Sequence, residues 1–462
     1  MPSFSGQFQI LNPDGTAGQA APCRASFDAV GMTLASATGT PLTFDLGDID
    51  EFHPAEYELT LKLYTGQNIV LGQFGKAFQN LCHDLLDAYR NRLVHCLLLE
   101  DLEELTRIEG FAWLDSVDRE FAQPAELRLY KSNLAVLPAS ATGFQWRLAD
   151  IEAVDFDAED YALTIRSGTE RLVISKLARR TDEFRERLNS AMTELSERSA
   201  AVVQRLFPFL SPGQLQQAAE LLKEGRSASV AALVGIHSRI EQALVENAVD
   251  ADLRPYFEFL KEQTAAGGFY AGFKLIRRES ETPGRGAEAS DEGAEAGRAE
   301  SSQPTADQAL VDGSEASAPA CEDENAEVLH WFFFPLRAGS DPGVPPNVVA
   351  WEATSRSGRA TYCFRLLPPG QAAQTKDASQ ASALVDAAVR RLNRGISLLN
   401  FRREPIYLPD DSLELQPRLR RYAIASRKIA ALRELRTQFL GRALHTAPEA
   451  WQKQLRALLA KA

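Results

Sequence analysis

The strongest constraint on this chain is that one pattern occurs twice. Leu42 to Leu93 reads LTFDLGDIDEFHPAEYELTLKLYTGQNIVLGQFGKAFQNLCHDLLDAYRNRL, and Phe144 to Leu195 reads FQWRLADIEAVDFDAEDYALTIRSGTERLVISKLARRTDEFRERLNSAMTEL. Asp48-Ile49 matches Asp150-Ile151 at a spacing of 102 residues, and Tyr57 to Leu61 matches Tyr161 to Ile165 at 104. The string ASATG recurs at Ala35–Gly39 and Ala139–Gly143, also 104 apart. Slips of two residues are what changes in loop length produce. A copy of about 100 residues is the size of a domain rather than of a solenoid repeat.

Each copy changes period in the same place. Phe44 and Leu46, then Tyr57, Leu59 and Leu61, alternate as half-buried strands do; so do Phe144, Trp146 and Leu148, then Tyr161, Leu163 and Ile165. Gly66 and Gly168 stand where a hairpin reverses, ahead of Ile69–Leu71 and Leu172–Ile174. The spacing then lengthens to three and four. Phe78, Leu81, Cys82, Leu85, Leu86, Tyr89 and Leu93 share one helical stripe, as do Phe184, Leu188, Ala191, Met192 and Leu195.

A meander of short strands followed by one amphipathic helix resembles the pleckstrin-homology-like superfold, with its GRAM and related members. The residues carrying the resemblance are Leu46–Phe52 and Leu148–Val154, an L-x-D-I-x-x-F/V strand-turn-strand, together with the two helices. It covers roughly residues 1–200 and implies two tandem antiparallel barrels, each closed by a C-terminal helix, on a binding scaffold. A fold does not fix a ligand.

A chain of 462 residues can bury several cores. No run of about 18 uncharged apolar residues exists to span a bilayer, and Met1–Leu11 lacks the basic and apolar regions of a secretory signal. Five cysteines (Cys23, Cys82, Cys96, Cys321 and Cys363) have no CxxC spacing, which points to a reducing, cytoplasmic setting. The formal charge of −13 is concentrated: Glu279–Glu327 holds fourteen acidic residues against Arg285 and Arg298. That stretch has too little apolar mass to offset the ordering of its backbone, so the sequence predicts a disordered acidic insertion at 279–327.

The rest of the chain divides accordingly. Residues 1–100 and 101–199 form the two copies, the first helix running on through Glu100–Ile108. Residues 200–268 read as a helical connector, with Ser211-Pro212 a helix start. Residues 269–400 read as an α+β unit that carries the insertion between strands at 269–276 and 328–336 and ends in a helix near Ala381–Leu399. A third pleckstrin-like unit is one reading of it, although it lacks the L-x-D-I echo. Residues 401–462 read as a basic helical tail in which Tyr422, Ala425, Ile429, Leu432, Leu435 and Phe439 form the apolar stripe.

Chemical motifs are sparse. Cys82-His83 and His95-Cys96 lie more than three helical turns apart, roughly 18–20 Å, too far for one ion. Asp45, Asp48, Asp50 and Glu51, like Asp150, Glu152, Asp155 and Asp157, lack the glycine and distal glutamate of a calcium loop and read as solvated turn carboxylates. Gly75-Lys76 is no P-loop, since Val70 and Ala77 occupy the defining positions. There is no G-x-S-x-G elbow and no histidine constellation for acid–base work. The expectation is therefore no catalytic residue, no cofactor, no metal and no small-molecule substrate. The residues best suited to an anion or lipid headgroup are Lys176, Arg179 and Arg180 before the second helix, and Arg418, Arg420, Arg421, Arg427 and Lys428 in the tail. The tail reads first as a solvated helix and second as a partner of the acidic insertion.

The sequence thus points to a non-catalytic interaction scaffold that binds a protein or peptide partner, with a groove between a sheet edge and the closing helix as the binding mode. A peripheral protein of anionic membranes and an acidic-loop chaperone for basic proteins are the alternatives; nucleic acid is not an expected partner.

Overall fold

The computed structural model describes residues 1–36, 39–116, 120–264, 268–277, 326–337, 346–354, 359–366 and 378–461. Alternation becomes strand as expected. In the first copy β1 (Ser3–Leu11), β2 (Ala21–Phe27), β3 (Gly31–Ser36), β4 (Leu42–Asp45), β5 (Ile49–Ala55), β6 (Glu58–Leu63) and β7 (Asn68–Gly72) form one antiparallel sheet in the order β4-β3-β2-β1-β7-β6-β5, followed by α1 (Phe78–Cys96). In the second, β8 (Glu104–Asp115), β9 (Glu120–Tyr130), β10 (Asn133–Pro138), β11 (Phe144–Arg147), β12 (Ala153–Asp157), β13 (Ala162–Ser167) and β14 (Glu170–Ser175) repeat it as β11-β10-β9-β8-β14-β13-β12, followed by α2 (Thr181–Leu206). In both, the first strand pairs with the last.

The duplication extends to unusual backbone. Tyr57 and Tyr161 have φ of 65° and 50°, Gln73 and Lys176 have 61° and 57°, and Gly75 and Ala178 have 56° and 53°. Side chains other than glycine rarely adopt this left-handed region. Register explains the slips in spacing. Phe52 faces Leu61 and Val154 faces Ile165, so the second copy has two extra residues in that hairpin. The ASATG echo is different. Met32 faces Phe44 and Leu134 faces Trp146, which sets the copies 102 apart there, so the two strings are offset by two positions in register.

Each helix joins the core of its own sheet. Leu81, Leu85, Tyr89 and Leu93 bury themselves with Leu46, Phe52, Leu61 and Leu71. Phe184, Leu188, Ala191 and Leu195 do so with Leu148, Leu163, Ile165 and Leu172. The first core also takes in Tyr130, Ala135 and Leu137 of the second copy, so apolar packing joins the copies. Where the periodicity extended the first helix through Ile108, the chain instead leaves it at Cys96, turns through Leu98 at φ 61° and enters β8. Pairing with β9 along the whole length of β8 outweighs the local helical spacing.

Beyond α2 come α3 (Pro212–Leu221), β15 (Ser227–Ser229), α4 (Val230–Ile236), α5 (Ile240–Ala248) and α6 (Arg254–Gln263). Ser211 caps α3 as its sequence predicts, and the structure adds Gln214 to complete a capping box. Then follow β16 (Tyr270–Arg277), β17 (Ala326–Leu336), β18 (Val348–Ala353), β19 (Ala360–Arg365) and α7 (Ala378–Leu398). The chain ends in α8 (Glu404–Tyr407), α9 (Asp410–Leu415), α10 (Arg420–Lys428), α11 (Ala430–Gln438), β20 (Phe439–Leu444) and α12 (Pro448–Leu459).

The third sheet is a six-stranded meander, β15-β16-β17-β18-β19-β20. Its first and last strands are not neighbours, unlike those of the two copies, so its connectivity is its own. It draws β15 from the connector and β20 from the tail. The tail is accordingly not one continuous helix: it breaks at Ile429 and becomes strand at Phe439, where pairing with β19 satisfies backbone that a helix would have satisfied alone. Trp331, Trp351 and Tyr362 fill this core, and Gly272 makes room for Trp331, since a Cβ there would stand 2.4 Å from the indole.

By contact density the chain divides into Met1–Phe273 with His330–Ala462, and Lys274–Leu329. Of the second unit only the strand ends at 274–277 and 326–329 are described. The acidic insertion therefore lies outside the described residues, apart from Ala326 and Glu327, which open β17. Among the described residues no helix is long and apolar enough to cross a membrane.

Candidate functional site: a buried ionic junction and two sheet edges

The most concentrated polar chemistry surrounds the short 3-10 turn Leu46–Asp48 of the first L-x-D-I motif. Asp45 caps that turn through the Gly47 N–H at 2.8 Å. Arg92 of α1 donates to both Asp45 oxygens, at 2.8 and 2.6 Å, and both side chains are buried. From the far end of the sequence α10 closes over them. Arg420 reaches Asp45 at 3.3 Å and Asp48 at 2.9 Å, and Arg427 reaches Asp48 at 2.7 Å. Lys428 donates to the Ile49 carbonyl at 2.7 Å and to Asp50 at 3.0 Å. Glu414 pairs with both Arg420 and Arg427, and Arg427 lies 3.8 Å from the centre of the Tyr64 ring. A Cβ at Gly47 would stand 2.8 Å from Cys96 Sγ and 2.9 Å from Ile424 Cδ1, so glycine is what lets α10 approach.

This overturns two expectations. Asp45 and Asp48 are buried partners of arginines, not solvated turn carboxylates. Four of the five tail cations expected at the surface are spent internally: Arg420, Arg427 and Lys428 here, and Arg421 on Glu100 and on the Tyr422 hydroxyl. Their partner is the first copy's turn. Burial raises the Asp48 pKa, opposed by Arg427 and Arg420. Balanced and hydrogen-bonded, the cluster ties α10 to the first copy's turn. Arg418 remains exposed.

The second L-x-D-I turn is used in parallel fashion with different chemistry. Arg147 stands in the place of Asp45 and pairs with Asp150 at 2.8 and 2.7 Å. Its Nη1 donates to the Gly225 carbonyl at 2.6 Å, which also accepts from Asn393 at 3.0 Å and Ser397 at 3.1 Å. Gly225 has φ 82°. Burial works to raise the Asp150 pKa, but the charge and hydrogen bonds of Arg147 outweigh it, and the net shift is downward. Asp150→Asn should therefore lower stability at neutral pH by about 2 kcal/mol, since it strands a nearly buried guanidinium. The loss should shrink as pH falls from the ordinary carboxylate range toward the depressed native pKa, because the wild type forfeits the same contribution there. Denaturant melts of both proteins at several pH values measure it.

Lys176, Arg179 and Arg180 stay with the second copy and do not meet the tail cations among the described contacts. Lys176 lies over the Phe111 ring at 4.4 Å, Arg180 donates to the Arg107 carbonyl at 2.8 Å, and Arg179 is exposed.

The third sheet holds a group that sequence reading did not find. Thr361, Glu352, His445 and Trp451 are gathered in its core, with the His445 ring stacked 4.2 Å from that of Tyr256. Thr361 Oγ1 and Glu352 Oε1 both sit at the same imidazole nitrogen, Nε2, at 3.3 and 3.1 Å. Trp451 donates to Thr361 at 2.7 Å, and among the described residues the buried Nδ1 of His445 has no hydrogen-bond partner. A nucleophile relay needs the hydroxyl on one ring nitrogen and the carboxylate on the other. Here both crowd one nitrogen, and the Thr361 hydroxyl also donates directly to Glu352, so the group ties the strands to the helix without the geometry of such a relay.

Among the described residues, no cluster of three or more His, Cys, Asp or Glu is arranged to hold a metal. No known family model matches the chain. No curated protein matches it either.

The remaining feature is a pair of sheet edges. β5 ends the first sheet and β12 ends the second. Around the β12–β13 hairpin lies a wide-open depression of about 730 Å³ lined by residues 155–159, Thr164, Arg166 and Arg171.

Proposed function

We propose that the chain is a non-catalytic interaction scaffold, in which two pleckstrin-homology-like modules, each a barrel-like sheet closed by its helix, present surfaces to a protein or peptide partner. What carries this reading is the contrast between backbone and side chains across the copies. Strand order and left-handed positions recur. Equivalent side chains diverge: Asp45 against Arg147 in the turn, Phe52 against Val154 on the edge. A framework kept while its surfaces change suits modules that hold different things, whereas a shared reaction would hold the same groups in place.

The test is affinity capture on the full-length chain, followed by titration of the purified partner. A saturable protein complex of defined stoichiometry supports the scaffold. Turnover of a small molecule, or absence of any saturable protein complex, overturns it. The peripheral-membrane alternative receives less support, because Arg420, Arg421, Arg427 and Lys428 are engaged internally. The expected result is that the chain stays unbound in flotation with phosphatidylserine-rich vesicles. Flotation that salt abolishes would favour the membrane reading. Partner binding that survives deletion of 279–324 would remove the acidic-loop chaperone.

A further inference from the structure

In the first copy the edge strand β5 is not bare. The segment after β10 lies against it: the Phe52 N–H donates to the Ala139 carbonyl at 3.0 Å, and the Ser140 hydroxyl donates to the Phe52 carbonyl at 3.0 Å. Gln123 fixes that segment by accepting the Ser140 N–H at 2.9 Å. Beneath it, Phe52 stacks on Tyr89 of α1 with ring centres 6.4 Å apart. This edge, beside this helix, thus already accepts an extended backbone carrying two small side chains.

Register carries the same place into the second copy. Val154 faces Ile165 as Phe52 faces Leu61, so the Val154 N–H and carbonyl point away from the sheet as those of Phe52 do. Superposing the left-handed residues Gln73 and Lys176 puts Met192 of α2 where α1 has Tyr89. Val154, Phe156 and Met192 are partly buried against the second core. Among the described residues no strand pairs with β12 on its outer side. An uncapped edge of this kind is a template for another strand.

Charge narrows the occupant. Glu152, Asp155, Asp157, Glu159 and Asp160 are exposed along β12 and its hairpin tip. Arg166 neutralises Asp155 at 2.7 Å, Arg171 lies beside it over the Trp113 ring, and Arg185, lying 4.5 Å over the Phe156 ring, is paired with Asp182 at 3.1 Å, which leaves five carboxylates against Arg166 and Arg171. The balance is negative, which favours cations. A second copy of the chain fits less well. The strap of the first copy is accompanied by an apolar face, Tyr130, Ala135 and Leu137, but the residues in register on the other copy are Asp28, Thr33 and Ala35.

We infer that the outer edge of β12, beside α2, takes an extended peptide by strand addition, with small residues against Val154 and basic residues toward the β12–β13 tip. The inference rests on the scaffold reading and names the chemistry of its partner.

The test uses the full-length chain and fluorescein-labelled peptides that copy residues 136–143, flanked by lysines or by glutamates. The lysine-flanked peptide should bind saturably and about tenfold tighter than the glutamate-flanked one. Val154→Pro removes an outward N–H that an edge strand can spare. Met192→Glu instead changes the helix side of the groove. Each should weaken the lysine peptide by about tenfold or more while the chain stays folded at the assay temperature, with a lowered thermal midpoint expected from the lost apolar packing. Binding that ignores both variants, or no saturable binding by either peptide, overturns the inference. So does concentration-dependent self-association that Val154→Pro abolishes, since that puts a second copy on the edge. If a captured protein partner binds Val154→Pro as tightly as wild type, the edge is excluded while the scaffold reading stands.

Discussion

Asp45→Ala is expected to lower the unfolding free energy by about 3–5 kcal/mol, the usual consequence of leaving a buried charge without its partner. Arg92 is the charge in question. Its side chain is 8% exposed and its guanidinium gives two hydrogen bonds to Asp45, whose own side chain is 4% exposed. Removing the carboxylate leaves Arg92 unable to reach water and takes away one of the three carboxylate partners of Arg420. The turn Leu46–Asp48 also loses its cap. The double variant Asp45→Leu with Arg92→Leu should lie closer to wild type than Asp45→Ala does, because it removes the desolvation cost together with the attraction. Denaturant midpoints of the wild type, Asp45→Ala and the double variant decide it. A double variant as unstable as Asp45→Ala would mean that the cap and Arg420 matter more than the buried pair.

The junction also marks where sequence reading stopped. The repeat was visible because each copy is written in local periods of two and of three to four, and these survive divergence. The alternating strands followed, and so did the hairpins at Gly66 and Gly168 and the capped start of α3, whereas the pairing of first strand with last was not written in either copy. What could not be read was which distant segments meet. Asp48 and Arg427 are 379 positions apart, and nothing local to either names the other. The acidic turn looked solvated because acidic turns usually are. The tail looked like one helix because its apolar spacing is helical up to Phe439, where pairing with β19 takes over. A signal was present all the same. The acidic turn and the arginine-rich stripe are both amphipathic and of opposite sign, and Gly47 is conspicuous between Leu46 and Asp48. Glu352 and His445 left no such trace, since neither stands in a recognisable pattern.

Acid should destabilise this protein earlier than carboxylate protonation alone predicts, and His330 is the reason. Its side chain is buried on β17, its backbone N–H donates to Thr354 Oγ1 at 3.1 Å, and its carbonyl accepts the Thr354 N–H at 2.9 Å. Burial disfavours the imidazolium and lowers the pKa from 6.5 to about 4. Between those values the unfolded chain binds a proton that the native state refuses. Stability is therefore fully present above the unfolded value and falls as pH drops through the window, by on the order of 3 kcal/mol in all. His330→Phe keeps the site apolar and ring-shaped but cannot titrate. Its unfolding free energy should change less than that of wild type between pH 7 and pH 4.5, and the difference between the two proteins should narrow or reverse on acidification. Equal pH dependence in the two would show that His330 takes up its proton in the folded state, and would place the acid sensitivity with the carboxylates instead. Asp150 is then the next group to examine, because its lowered pKa gives the same sign of slope below the histidine window, whereas the raised pKa of Asp48 gives the opposite one.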